Sequence, residues 1–286
     1  MRPVLSVSVL RPDEAGAFAP LAFPRHRSDL LDVGPPGNSV AVGADVLGEP
    51  WGLALAQLTG EGVGRLQSVA VIERARRRGL AARLLAELEA ALRARGVSRL
   101  VASYRTDRPH SEATDRLLRR RGFEPLPGQP VLEIRYRTAR LLESPALYVL
   151  CEGAEVVPYT PERLEPLLEL GEESGLAPAS VLPAANDPTL ATLVALDGEV
   201  AACMLGFRVA PDTGHVALLF VRRELRRRGL AAFATRGFVL RLVEQGLAYL
   251  SCEVQLSNAA CLPYTDGKLA PVIDSRAIVH SVGKSL

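Results

Sequence analysis

The stretch Ile72–Leu85, IERARRRGLAARLL, has a second version at Arg222–Thr235, RRELRRRGLAAFAT. In each copy an apolar strand pattern comes first, three arginines and a glycine follow, and a leucine- and alanine-rich helical pattern comes last. Gly79 and Gly229 occupy the turn in the two copies. One short arginine-rich match is a weak signal, whereas two copies with matched flanking elements predict that this motif organises the fold.

The similarity extends well beyond the two motifs. The glycines that end the following helices, Gly96 and Gly246, keep the same offset of 150 residues. Before each motif the sequence has strand patterns joined by glycine-rich turns, and after it a long helix and a further strand are predicted. The length of 286 residues also suits two domains. We predict two consecutive α/β (α+β) domains, residues 1–145 and 146–286, each a mixed, mostly antiparallel sheet flanked by helices.

Composition limits the possible functions. The formal net charge is only +2, so the arginine clusters are local features, and a general nucleic-acid or membrane binder is not favoured. No apolar run reaches the length of a membrane span, and the first residues lack the pattern of a signal peptide. The four cysteines form no CxxC pair, which favours buried free thiols over a disulfide framework or a zinc site. We expect a cytoplasmic protein that binds no metal, nucleic acid or membrane.

The repeated motif predicts an anion-binding loop. The first N–H groups of a helix have no intrahelical partner, and the helix dipole adds positive charge there. Gly79 and Gly229 let a phosphate approach the main chain, and Ala81 and Ala231 keep the next turn thin. A solvated, arginine-rich helix start is the alternative explanation. Other phosphate loops are excluded, because no GxGxxG follows a strand and the GKS at Gly283–Ser285 lacks the first glycine of a P-loop.

These residues resemble the signature of the GNAT superfamily of acyl-CoA-dependent N-acyltransferases, in which [Q/R]xxGx[G/A] follows an apolar strand and opens a helix. The resemblance covers nearly the whole chain, in a two-domain layout similar to that of the mycothiol synthases. It implies acetyl-CoA as co-substrate, with the pyrophosphate on the loop amides and the pantetheine arm along a motif strand that splays from its neighbour. The implied cofactor-binding residues are Val69, Val71, Arg76, Arg77, Arg78, Gly79, Leu80 and Ala81 in the first half, and Val221, Arg226, Arg227, Arg228, Gly229, Leu230 and Ala231 in the second.

The resemblance also implies positions for a general base and a general acid. Some family members carry a catalytic carboxylate on the motif strand, where this sequence has His215, which can take a proton from an ammonium group. Tyr264 follows Asn258 in a segment that resembles the family's route to an acid tyrosine, with Asn258 implied to bind the pantetheine or adenine end of CoA. The spacing is one residue short and includes Pro263, which predicts a distorted helix. A surface histidine and an aromatic residue at the core edge are the alternative interpretations of His215 and Tyr264.

The first half has different residues at the matching positions. Arg65 replaces His215 and cannot accept a proton, and Leu118 stands where the tyrosine is expected and cannot donate one. We therefore predict that turnover belongs to the second half and that the first half binds CoA with weak or no catalysis. The first half still contains alternative candidates for a catalytic role, namely Glu61, Tyr104, Glu112 and Asp115.

The predicted activity is an N-acetyltransferase acting on a primary amine of a small molecule or an amino terminus, by direct attack of the amine on the thioester. The chain is expected to act as a monomer, in which the halves form a pseudo-dimer, or as a homodimer. The main alternative is a non-catalytic acyl-CoA-binding sensor or scaffold, and a nucleic-acid binder is the third. The acceptor pocket is expected from residues 23–38 and 175–188, whose sequence does not identify the acceptor.

Overall fold

A computed structural model describes residues 4–173 and 187–286 and divides the chain into two compact units. The first unit contains residues 4–130 and Val279–Leu286, and the second contains Val131–Ile278. Most of the acceptor segment expected at residues 175–188 lies outside the described residues.

The first unit is built on one sheet. Its strands are β1 Leu5–Val9, β2 Ser39–Val46, β3 Glu49–Leu58, β4 Val63–Val71, β5 Arg99–Arg105, the short β6 Glu124–Pro125, and the end of β13 Ile273–Ser285. They lie in the order β1-β2-β3-β4-β5-β13, with β6 beside β13. Only β4 and β5 are parallel, and the other neighbours are antiparallel.

Helices cover both faces of this sheet. They are α1 Pro12–Ala15, α2 Leu80–Ala94 and α3 Ser111–Arg120, with 3₁₀ turns at Gly16–Leu21, Pro24–His26, Ser28–Asp32 and Glu73–Ala75. The four-residue spacing of Leu84, Leu88 and Leu92 puts them on one side of α2, where all three are 0% exposed. Burying each leucine stabilises the unit by roughly 2 kcal/mol. Phe18 and Leu30 from the 3₁₀ segments fill the opposite face.

The second unit repeats this plan. Its strands are β7 Val131–Arg137, β8 Ala154–Val157, β9 Thr192–Leu196, β10 Glu199–Ala210, β11 Thr213–Val221 and β12 Tyr249–Gln255. They lie in the order β8-β9-β10-β11-β12-β7, with only β11 and β12 parallel. Its helices are α4 Thr138–Glu143, α5 Pro161–Glu173 and α6 Leu230–Glu244, with 3₁₀ turns at Pro145–Leu147, Pro188–Leu190, Arg223–Leu225 and Ala270–Val272.

The predicted α/β class is confirmed, and the repeat is visible element by element. The strand before the motif, the helix after it and the next strand all recur 150 residues later, as β4 and β11, α2 and α6, and β5 and β12. Phe238 and Leu242 of α6 pack on one face of the second sheet, and Leu164 and Leu167 of α5 pack on the other. Among the described residues, no helix is both long and apolar enough to cross a membrane.

The compact units differ from the predicted boundary at residues 145 and 146. The strand β7 was assigned to the first half, and yet it pairs antiparallel with β12 in the second unit. The last strand was not predicted, and its end, Val279–Ser285, pairs antiparallel with β5 in the first unit. Burial accounts for these pairings, because Ile134 and Tyr136 enter the core of the second unit, while Val282 enters that of the first.

Candidate functional site

In each unit the two parallel strands separate partway along their length. The pairing of β4 with β5 covers only Val63–Leu66, and that of β11 with β12 covers only Thr213–Val216. A β-bulge marks the point of separation, because Gln67 and Ala217 are each skipped in the register with the preceding strand. Past the bulge the backbone groups on one edge of the motif strand face a gap in the sheet. Val69, Val71 and Val221 lie in this part of the strands, where the sequence predicted them.

Each motif strand continues into a loop that contains two residues with positive φ. In the first unit these are Arg77 at 62° and Gly79 at 78°, and in the second they are Arg227 at 67° and Gly229 at 88°. Such turns gather successive backbone N–H groups on one side, which is a recurring anion-binding geometry. The first helical bond of α2 runs from the Arg83 N–H to the Gly79 carbonyl, so the N–H groups just before it have no partner in the helix.

The first arginine of each loop has a different role from the two arginines that follow it. Arg76 Nε donates to the Val71 carbonyl at 3.0 Å, and Arg226 Nε donates to the Val221 carbonyl at 3.3 Å. These two side chains brace the loop against the end of its strand. The arginines that follow them are exposed, namely Arg77, Arg78, Arg227 and Arg228. They are placed to attract an anion to the surface of the loop.

The residues that open the helices contribute through their backbone. The side chains of Leu80 and Leu230 are buried in the two cores. Only their N–H groups are therefore available to a ligand. Ala81 and Ala231 are half-buried, and their small side chains keep the first helical turn thin.

The two glycines differ in what lies beside them. Gly79 is exposed, and no atom of the described chain lies within 4 Å of the position that a Cβ would take. At Gly229 the same position lies 2.5 Å from Val149 Cγ1 and 2.9 Å from Cys151 Sγ. The first loop is open to a ligand, whereas a neighbouring segment of the chain covers the second.

A cleft lies beside the first loop, at the start of α3. It has a volume of about 400 Å³ and is lined by His110, Ser111, Glu112, Ala113 and Arg116. Arg76 Nη1 is 3.4 Å from His110 Nε2, so the cleft adjoins the loop directly. The first unit therefore offers a ligand both an anion site and adjacent space.

The split strands and the loops occur twice, and a sequence profile matches the chain in the same two places. The profile is that of the Acetyltransferase (GNAT) family, and it matches residues 9–123 and 155–265. The chain belongs to the GNAT acetyltransferase family. The predicted tandem arrangement of two GNAT domains is thereby confirmed.

Solved structures agree with this assignment at the level of the fold. A GCN5-related N-acetyltransferase from Sphaerobacter thermophilus is 19% identical, with a TM-score of 0.63 over 97% of this chain and 95% of that chain. A tandem GNAT protein from the clavulanic acid biosynthesis pathway is 15% identical, with a TM-score of 0.57 over 97% and 98%. A GCN5-related N-acetyltransferase from Kribbella flavida is 19% identical, with a TM-score of 0.55 over 82% and 87%. Among curated proteins no sequence matches the chain.

In the second GNAT unit, His215 lies on the paired part of β11. The adjacent Val216 faces the core on the α6 side, so strand alternation turns His215 toward the other face. Its Nδ1 is 3.0 Å from Ser251 Oγ. Burial lowers the pKa of His215, while Glu253 and Glu133 act in the opposite direction. The imidazole is therefore neutral near pH 7, which is the state that can accept a proton.

The distorted helix predicted around Tyr264 takes the form of a π-helix, Pro263–Lys268. Tyr264 packs against the core on the α6 side, opposite the face that carries His215. Burial raises the pKa of Tyr264 to about 12, and Thr235 acts in the opposite direction. The phenol therefore keeps its proton near pH 7, as a general acid must. Asn258 is exposed, and its Oδ1 accepts the Cys261 N–H at 3.1 Å.

The first GNAT unit has a polar cluster that the sequence indicated only in part. The Tyr104 hydroxyl donates to Asp115, which also accepts from Arg119 Nε at 2.9 Å. The Tyr104 ring stacks on His280, with centroids 5.1 Å apart. Burial raises the pKa of Tyr104 to about 12, and the bond from Tyr104 is the main cause that lowers the pKa of Asp115. No sequence signal connected His280 with this cluster, because β13 was not predicted. Leu118 is buried in the core, as an apolar side chain should be.

The bulge of the first unit carries two further polar residues that the sequence did not single out. Gln67 Oε1 and Ser68 Oγ are buried, and neither has a hydrogen-bond partner among the described residues. Gln67 Nε2 donates to Gln57 Oε1 at 2.9 Å, which fixes the amide in place. Only the strand register reveals that these residues lie at the bulge where β4 separates from β5.

Proposed function

We propose that this GNAT protein transfers an acetyl group from acetyl-CoA to the primary amine of a small molecule or of an amino terminus. The observation that supports it best is the split strand pair leading into an anion loop, with open space beside Gly79. The N–H groups and the arginines of the loop suit a pyrophosphate. Past the bulge the motif strand is paired on one edge only. Its other edge offers main-chain donors and acceptors to the amide groups of a pantetheine arm.

The proposed acid and base belong to the second unit. His215 takes the proton of the acceptor ammonium, so that the amine nitrogen can form a bond with the thioester carbonyl carbon. As the carbon–sulfur bond breaks, Tyr264 gives its proton to the leaving sulfur, and the second proton that leaves the attacking nitrogen restores the Tyr264 phenol. The neutral state of His215 and the protonated state of Tyr264 near pH 7 support these roles.

A non-catalytic acyl-CoA sensor is the second candidate. The cover over Gly229 favours it, because that cover lies in the unit to which the acid and base are assigned. We also propose that the protein is cytoplasmic and acts as a monomer or a homodimer. Free cysteines and a net charge of +2 support the cytoplasmic location.

Thiol release from acetyl-CoA, measured with a panel of small amines and peptide amino termini, tests the proposal. We expect turnover with at least one acceptor, and a loss of roughly 10²- to 10⁴-fold in kcat for Tyr264→Phe and His215→Ala. Tyr159→Phe is the matched control, because Tyr159 packs in the other core cluster of the same unit. A wild type that binds acetyl-CoA but releases no thiol with any amine would establish the sensor instead.

A further inference from the structure

A short segment of the second unit lies directly over its anion loop. This segment, residues 148–151, is here called the strap. Val149 Cγ1 and Cys151 Sγ lie 2.5 and 2.9 Å from the position that a Cβ on Gly229 would occupy. Cys151 also donates its thiol hydrogen to the Arg228 carbonyl at 3.1 Å. Burial raises the pKa of Cys151, so the thiol keeps the hydrogen that this bond needs near pH 7.

The strap is held on both sides of the loop. Just before it, Leu147 is 1% exposed and belongs to the core of the second unit. The Tyr148 hydroxyl donates to the Leu142 carbonyl at 2.6 Å, and the guanidinium of Arg236 lies 4.6 Å from the centre of the Tyr148 ring. At the other end the Ala154 N–H donates to the Cys151 carbonyl at 3.0 Å. These contacts hold the strap across the start of α6.

A phosphate oxygen must come within about 3 Å of a backbone N–H to form a hydrogen bond. The strap side chains occupy the side of Gly229 to which a Cβ would point, so a phosphate has no room on that side of the loop while the strap is in place. Gly79 has the same backbone conformation and no such cover among the described residues. The two copies of the motif therefore share one backbone geometry but differ in how open they are to a ligand.

We infer that the strap closes the second loop in the resting protein, so that only the first loop is open to the pyrophosphate of acyl-CoA. The inference rests on the proposed function, because it concerns the co-substrate named there. It also means that acyl transfer in the second unit requires the strap to move. His215 and Tyr264 can act on acyl-CoA bound in their own unit only after the strap has left Gly229.

Titration calorimetry with acetyl-CoA on the full chain tests the inference. We expect one bound acetyl-CoA for the wild type, binding weakened roughly 100-fold for Gly79→Glu, and two bound acetyl-CoA for the double variant Val149→Gly with Cys151→Gly. Leu150→Gly is the matched control, because Leu150 lies between these residues and is 99% exposed. This control loosens the same backbone without uncovering Gly229, so the variant should still bind one acetyl-CoA.

The outcomes separate this inference from the proposed function. Two sites in the wild type, or a single site in the double variant, would overturn the inference and leave acyl-CoA binding intact. No binding by the wild type would instead remove the proposed function.

Hydrogen exchange of the wild type gives a second test that needs no variant of the strap. Acetyl-CoA should slow the exchange of amides in residues 77–82 and leave residues 227–232 unchanged. Protection of both segments would contradict the inference even if the double variant failed to fold.

Discussion

Gly79 and Gly229 share a motif, a backbone conformation and a place at the start of a helix, and yet only Gly79 has open space beside it. The difference comes from Val149 and Cys151, which belong to a segment outside the repeated motif. A matching motif therefore establishes the path of the backbone but not the access of a ligand to it. Sequence similarity between the halves predicted an anion-binding loop in each, and the structure contains one open loop and one covered loop.

The side chains along the split strands also differ between the units. Beyond the point of separation, the first unit has Gln67 and Ser68, where the second has Ala217 and Leu218. On the paired part of the motif strand, Arg65 in the first unit corresponds to His215 in the second. The motif strand of the first unit is therefore polar at its bulge, whereas that of the second unit is apolar there.

The comparison of the loops predicts the largest effect for Gly79→Glu. The new side chain has room, but its carboxylate lies where the pyrophosphate binds, and repulsion of about 3 kcal/mol weakens acetyl-CoA binding roughly 100-fold. Calorimetry measures this change. Gly96→Glu is the control, because Gly96 also has positive φ and open surroundings but lies at the far end of α2. Equal loss in both variants would mean that strain, not the loop, causes the effect.

A second prediction compares α2 with α6 at one buried position. Glu89 is 2% exposed and accepts from Arg121 at 2.7 Å and Lys284 at 2.8 Å, whereas Val239 takes the matching place in α6. Glu89→Val leaves both cations without their carboxylate. Because the cations are partly exposed, the expected loss is about 2 kcal/mol of unfolding free energy, below the cost of breaking a fully buried pair.

Fluorescence of Trp51 during denaturant unfolding measures this loss, because Trp51 is the single tryptophan of the chain and lies in the first unit. Glu87→Val on the exposed side of the same helix should change the unfolding free energy by less than about 0.5 kcal/mol. If the two variants were equally stable, the ion pairs of Glu89 would contribute nothing.

Gly229→Glu should affect stability rather than binding. The new side chain meets Val149 and Cys151. We therefore expect this variant to lose about 1–2 kcal/mol more unfolding free energy than Gly246→Glu does. Gly246 is the control, because its φ is also positive and no described atom lies near the position of its Cβ. Far-UV circular dichroism during unfolding reports this loss. The Trp51 transition and the affinity for acetyl-CoA should stay unchanged, and a drop in affinity would show that the second loop takes part in binding.

The smallest predicted effect concerns pH. Burial lowers the pKa of His215 below its ordinary value of 6.5, so the unfolded chain binds this proton more readily than the folded chain does. The second unit therefore loses stability as the pH falls below about 6.5. The His215→Gln variant should lose less unfolding free energy between pH 7.5 and pH 5.5 than the wild type does, as measured by circular dichroism during unfolding. The same pH dependence in both proteins would exclude this histidine as the cause.

Local features could be predicted from the sequence because their causes lie within a few residues. The strand before each motif, the turn at Gly79 and the helix with Leu84, Leu88 and Leu92 on one side all follow from alternation, glycine conformation and helical spacing. The distortion near Tyr264 was predicted from one proline and a short spacing. The family followed from the repetition of these local patterns at a constant offset.

The sequence by itself determined two copies of a strand, an anion loop and a helix, because these depend on neighbouring residues. Only the tertiary structure decided that β7 pairs with β12, that the end of β13 pairs with β5, and that His280 meets Tyr104. It also decided that the strap covers Gly229. The physical reason is the same in each case: these contacts join residues far apart in the chain, and which of them form depends on the burial and pairing that each partner finds in the folded unit.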